Sequence, residues 1–300
     1  MGHGRKAPPS LTSMTGGHTL DAGTVLLQWA AGGLAFTWVT TRRREVSLGY
    51  GWLMRPTYLV IGLLGLVAGL RWSPHAVRDL ASAGLVVAAG GALVASVLQR
   101  RAGVAGHAAV HDARTARVAA MTGIERAVSV RDETATEFDP RWDLVAPVLG
   151  LVGVVAVGVS DDQSPVLMTL RLVIGAAFLG VVSDAMLLGH WYLVQPGLRR
   201  DALLEQVTWL GRLWPFEVGL LLLPTGMVSV ISGTIDDGYG GMLGWFWIAC
   251  AVATLALVVV TRAALRERYY SAVMAATGLL YLAILTAFGT DLVARLVLRG

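Results

Sequence analysis

The chain has 300 residues, of which 55% are hydrophobic and only 15% charged, with a formal net charge of +4 and a mean hydropathy of +0.63. Soluble domains carry about 25% charged residues, so an ordinary water-soluble fold is excluded, and segments apolar on every face point to lipid as the solvent. The pI of 9.6 invites a nucleic-acid partner, but the basic residues sit in short connectors rather than on one patch, which excludes that class and leaves membrane lipids as their partner.

In chain order, residues 1–20 hold Arg5, Lys6, Pro8, Pro9 and a Ser/Thr/Gly stretch without an apolar signal-peptide core, and read as a flexible tail. From 21 to 300 the sequence predicts a single all-α transmembrane helical bundle. About eight spans are expected, at roughly 22–40, 54–70, 79–98, 143–159, 166–192, 215–231, 242–261 and 271–294. A cytoplasmic connector covers 99–141, with a surface helix expected over 105–131. At 198–214, Leu203, Val207, Leu210 and Trp214 recur at helical spacing, with Arg199, Arg200, Glu205 and Arg212 elsewhere. That pattern predicts an interfacial amphipathic helix on the inner surface, with Pro215 opening the sixth span. The rival is one long helix kinked at Pro215.

Arginine sets the orientation. With both termini outside, 17 basic residues fall on the inner side, six on the outer (Arg5, Lys6, Arg71, Arg78, Arg295, Arg299) and one, Arg171, within a span. This positive-inside bias predicts a multi-pass protein of a bacterial-type inner (plasma) membrane. Trp52, Trp142, Trp191, Tyr192 and Trp214 mark the inner boundary, and Trp72 and Tyr239 the outer one. Gly65 and Gly69, and Gly150, Gly153 and Gly158, predict close helix packing.

Ionisable residues inside spans are costly and are therefore candidates for function. Asp184 lies deep in the fifth span, His190 at its inner end, and Glu217 just after Pro215. These three are the expected proton- or ligand-handling residues of the inner leaflet. Arg171, Asp291 and Arg295 are expected to pair at the outer side, Asp291 and Arg295 being four apart on one helical face. His107 and His111 have helical metal-pair spacing but lack the zincin Glu and a third ligand, so they read as solvated and no metal is expected. Asp161-Asp162 and Asp236-Asp237 face outside, as orientation alone requires.

Cys250 is the only cysteine, which excludes an internal disulfide and Cys-ligated clusters. Haem is disfavoured because His190 and His75 lie at opposite depths. The sequence names no cofactor, and a quinone contact stays compatible with it. The leading expectation is a membrane-embedded subunit of a larger, respiratory-type complex contacting protons or quinone, with other membrane subunits as partners. A proton-coupled secondary transporter is the alternative, and a lipid-acting membrane enzyme the third.

Overall fold

The computed structural model describes residues 21–122, 132, 134–195, 198–224 and 226–298. The expected tail at 1–20 and the connector segment 123–131 lie outside the described residues. Among the described residues every element is helical: α1 (Ala22–Thr41), α2 (Leu48–Trp72), α3 (Ala76–Leu98), α4 (Ala105–Thr122), α5 (Val145–Val159), α6 (Pro165–Val194), α7 (Asp201–Leu222), α8 (Met227–Ile231), α9 (Met242–Arg266) and α10 (Tyr270–Val297). A 3-10 turn, Pro140–Leu144, leads directly into α5.

Local chemistry sets the helix starts. Asp21 caps α1 by accepting from the Gly23 and Thr24 N–H groups at 3.0 and 3.2 Å. Pro165 opens α6, where its missing N–H costs nothing. Asp161 accepts from the Gln163 and Ser164 N–H groups just before it. Ahead of α9, Asp237 accepts from the N–H groups of Gly241, Tyr239 and Leu243, and these bonds, Gly241's foremost, hold its carboxyl below the ordinary value.

Helix α1 is the axis of the bundle, packed against α2, α5 and α6, while α6 also meets α7 and α10. Glycine permits this density. A Cβ on Gly32 would lie 1.7 Å from the Ala176 carbonyl oxygen, and one on Gly180 2.1 Å from the Gly32 carbonyl carbon, so α1 and α6 touch backbone to backbone. The Gly65 and Gly69 pair of α2 receives Gly23 of α1 in the same manner. Outward-facing Leu64, Leu80, Val87, Leu98 and Leu285 are each more than half exposed, a surface that water would penalise and lipid tolerates.

Seven helices are long and apolar enough to cross a membrane: Ala22–Thr41, Leu48–Trp72, Ala76–Leu98, Pro140–Val159, Pro165–Val194, Met242–Arg266 and Tyr270–Val297. These correspond to seven of the eight expected spans. The sixth expected span, 215–231, is instead divided between the end of α7 and the short α8. Helix α7 runs through Pro215 and stops at Leu222, because Leu223 precedes Pro224 and the residue before a proline is pushed out of the helical region. The stripe Leu203, Val207 and Leu210 therefore does not lie on the membrane surface. It is buried in the main core of the bundle.

The elements share two ends. At the arginine-rich end, Glu205 near the start of α7 takes Arg42 and Arg43 from the end of α1, both at 2.6 Å. Arg200 reaches across to the carbonyls of Glu267, Arg268 and Tyr269 in the α9–α10 turn. At the opposite end, Arg171 of α6 donates to the Leu220 and Leu223 carbonyls of α7 at 2.9 and 2.6 Å. So α7 runs the length of the bundle antiparallel to α6. Both ends of the described chain lie at this second end, since Arg295 of α10 meets Gln28 of α1 there.

Helix α4 is latched to the arginine-rich end by His107, which is half-buried and not merely a solvated loop residue. The Gln195 oxygen accepts from Ser47 and Trp191, leaving its amide nitrogen to donate to His107 Nε2 at 2.9 Å. That bond requires a neutral imidazole with Nε2 free to accept. Burial, and then the charge of His111, hold the His107 pKa below its ordinary 6.5. A group lowered in this way contributes its stability above the unfolded value and loses it as pH falls. The latch is therefore expected to open below about pH 6.5. Hydrogen exchange of α4 at about pH 8 and about pH 5 checks this, and equal protection at both would refute it.

Candidate functional site

Two polar clusters are sealed inside the bundle at different depths, both built between α1, α6 and α7. The first surrounds Asp184, which is fully buried on α6. Thr37 and Thr40 of α1 place their hydroxyls at 3.0 and 3.3 Å from its two oxygens, Tyr50 of α2 donates at 2.9 Å, and the Gln206 amide of α7 donates at 3.1 Å. Among the described residues no Arg, Lys or His hydrogen-bonds or ion-pairs with this carboxyl. A buried charge without a cation is costly, and here only hydroxyl and amide dipoles oppose that cost.

The two threonines have a second option. Thr37 also lies 2.9 Å from the Gly33 carbonyl oxygen, and Thr40 3.3 Å from that of Phe36. A hydroxyl carries one hydrogen and two lone pairs. With Asp184 ionised, each threonine donates to the carboxylate. With Asp184 neutral, its one O–H donates to one threonine, which turns its own hydrogen to its helix carbonyl, while the other threonine goes on donating to the remaining oxygen. The same side chains thus satisfy both protonation states without moving a helix.

The second cluster lies toward the opposite end. Asp291 and Arg295 of α10 are paired, Arg295 Nε donating to Asp291 Oδ1 at 2.8 Å, and Arg295 also donates to Gln28 Oε1 at 3.0 Å. Gln28 donates in turn to the Leu172 carbonyl at 2.5 Å. Glu217 of α7 is buried beside this pair, near enough for its carboxyl to interact with that of Asp291. Gly175 of α6 makes the space, since a Cβ there would fall 2.3 Å from the Arg295 guanidinium.

The expected trio of Asp184, His190 and Glu217 is not one site. His190 is exposed, with its ring 3.1 Å from the Tyr281 hydroxyl and away from the Asp184 donors. Glu217 belongs with Asp291 and Arg295, because α7 starts at Asp201 and not at Pro215, which carries Glu217 to the far end. The expected outer group of Arg171, Asp291 and Arg295 is brought together only in part: Asp291 and Arg295 pair in the core, whereas Arg171 holds the broken end of α7.

Two further clusters escaped the sequence reading. Arg55 of α2 and Asp143 of the 3-10 turn form a buried two-pronged pair at 2.7 and 2.8 Å, with the guanidinium over the Phe138 ring and Thr41 donating to Asp143 at 3.1 Å. Beside Arg55, a cavity of about 30 Å³ opens toward Thr41, Arg44 and Glu137, room for a water or two. At the other end Arg78 is buried between Asp21 and Asp79. Each of these charges stands at a span boundary, where charge is ordinary, so only the pairing marks them. Among the described residues no group of three or more His, Cys, Asp or Glu could hold a metal ion. No known protein family, curated protein or solved structure matches the chain.

Proposed function

We propose that the chain is an integral plasma-membrane protein of bacterial type, with eight crossings and both termini outside, that handles protons as a membrane-embedded subunit of a larger complex. The one-sided arginines support the orientation, and α7, whose two ends lie at opposite ends of the bundle, supplies the eighth crossing. The observation that carries the proton reading is the Asp184 network, whose threonines can serve either protonation state. Four packed side chains surround the carboxyl, an environment sized for a proton, whereas organic ligands occupy pockets of about 300–1,000 Å³.

The reading is tested in native membranes. The protein solubilised in mild detergent should migrate with partner subunits, and Asp184→Asn should slow the proton uptake or release of that assembly about a hundredfold. A lone monomer, or proton traffic unaltered in the variant, would sink the proposal. A proton-coupled secondary transporter is the second reading, favoured by the interrupted α7–α8 segment with Arg171 on its open carbonyls. Solute uptake that depends on Asp184 without any partner would favour it. The lipid-acting enzyme loses its support, because the stripe that suggested a surface helix is core.

A further inference from the structure

Glu217 is a buried acid outside the Asp184 network, and its surroundings are unlike those of Asp184. From α10 it faces the Asp291 carboxyl and the Arg295 guanidinium, from α6 Arg171, and from α1 the Gln28 amide beyond Arg295. The two cations are already engaged. Arg295 donates through Nε to Asp291 Oδ1 and through Nη1 to Gln28, and its Nη2, which makes no hydrogen bond, is held 2.6 Å from that same Oδ1; Arg171 donates to the Leu220 and Leu223 carbonyls. Glu217 has no ion pair among the described residues. Its Oε1 and the Oδ2 of Asp291 are both buried, and neither has a hydrogen-bond donor.

Ionising both of two adjoining carboxylates in a dry interior is costly, and two orphaned acceptors need one donor. A single proton meets both demands. We propose that Glu217 and Asp291 form a second proton-binding site, separate from Asp184, in which the pair shares one proton carried by Glu217 and Asp291 stays ionised against Arg295. On uptake one O–H bond forms at Glu217 and hydrogen-bonds to Asp291. On release that bond breaks, the proton passes to water, and two carboxylates remain beside Arg295. The site stands whether or not Asp184 exchanges protons. If both do, a bundle closed between them holds one proton station toward each end.

The asymmetry between the two acids makes the site testable. Glutamine copies a protonated glutamate in shape and charge, so Glu217→Gln should melt within about 2 °C of wild type, whereas Asp291→Asn strands Arg295 and should melt at least about 6 °C lower. Infrared spectra of the full-length protein in detergent at neutral pH should contain the carbonyl stretch of a protonated carboxylic acid, shifting in D2O and lost in Glu217→Gln. Recording this in the Asp184→Asn background removes any contribution from the first site, so failure here is distinct from failure there. Glu217→Gln melting as low as Asp291→Asn, or no acid band lost with Glu217, overturns the proposal. A melting temperature that rises with Na+ over choline, without the acid band, would do so too, by placing a metal cation where the proton is assigned.

Discussion

Gly32→Ala is expected to destabilise the protein by more than about 3 kcal/mol, the upper end of the usual cost of overpacking a core. The new methyl would sit 1.7 Å from the Ala176 carbonyl oxygen and 2.6 Å from its carbon. Both are backbone atoms, so no rotamer change relieves the clash, and α1 and α6 must separate. Separation also draws Thr37 and Thr40 away from Asp184, which lies one turn beyond Gly180 on the facing helix. Native domains have only about 5–15 kcal/mol to lose. Gly91→Ala is the control: nothing lies within 4 Å of a Cβ at that position, so alanine should be neutral or stabilise by up to about 1 kcal/mol through helix propensity. Thermal unfolding of both variants in the same detergent decides the matter, and a Gly32→Ala protein that melts with wild type would show that the α1–α6 contact is not as close as described.

Removing one partner of the Arg55–Asp143 pair should cost about 3–5 kcal/mol, because the survivor is left as an uncompensated buried charge. Both side chains are at most 3% exposed, so solvent screening offers little relief. Arg55→Met strands Asp143, with only Thr41 still donating to it, and Asp143→Leu strands Arg55 over the Phe138 ring beside Ser96. The double variant Arg55→Met/Asp143→Leu removes both charges and is expected to recover most of the loss, since an apolar pair of similar volume is often neutral in place of a buried ion pair. The double-mutant cycle should give a coupling of about 2–3 kcal/mol. Single losses that simply add would mean that the two charges do not depend on each other.

Much of this architecture is legible from residue patterns, and the rest fails for physical reasons. Seven spans can be read because lipid demands long apolar runs, and Asp184 stands out because an acid within such a run has no ordinary reason to be there. Its partners do not stand out. Thr37, Thr40, Tyr50 and Gln206 are unremarkable in a span, and Thr37 meets Asp184 across 147 residues of sequence. Glu217 was misplaced for a single reason: Pro215 reads as a helix start. With α7 beginning at Asp201, Glu217 lies sixteen residues along the helix, about 24 Å from its start. The stripe at Leu203, Val207 and Leu210 was correctly helical, but periodicity cannot tell a face turned to the membrane surface from one turned to protein.

Helix α1 is the least apolar of the seven membrane-length helices and the most buried, and it is also the first made. As it leaves the ribosome, Gln28, Thr37 and Thr40 have none of their distant partners. Those arrive with α6, α7 and finally α10, whose Arg295, in the last turn of that helix, closes on Gln28. Lipid offers these side chains no substitute bonds in the interval. Biogenesis is therefore a waiting problem: the axis of the bundle is laid down first and secured last. A nascent chain stalled before α10 holds an unfinished interior, and that makes it the form most exposed to quality-control proteolysis.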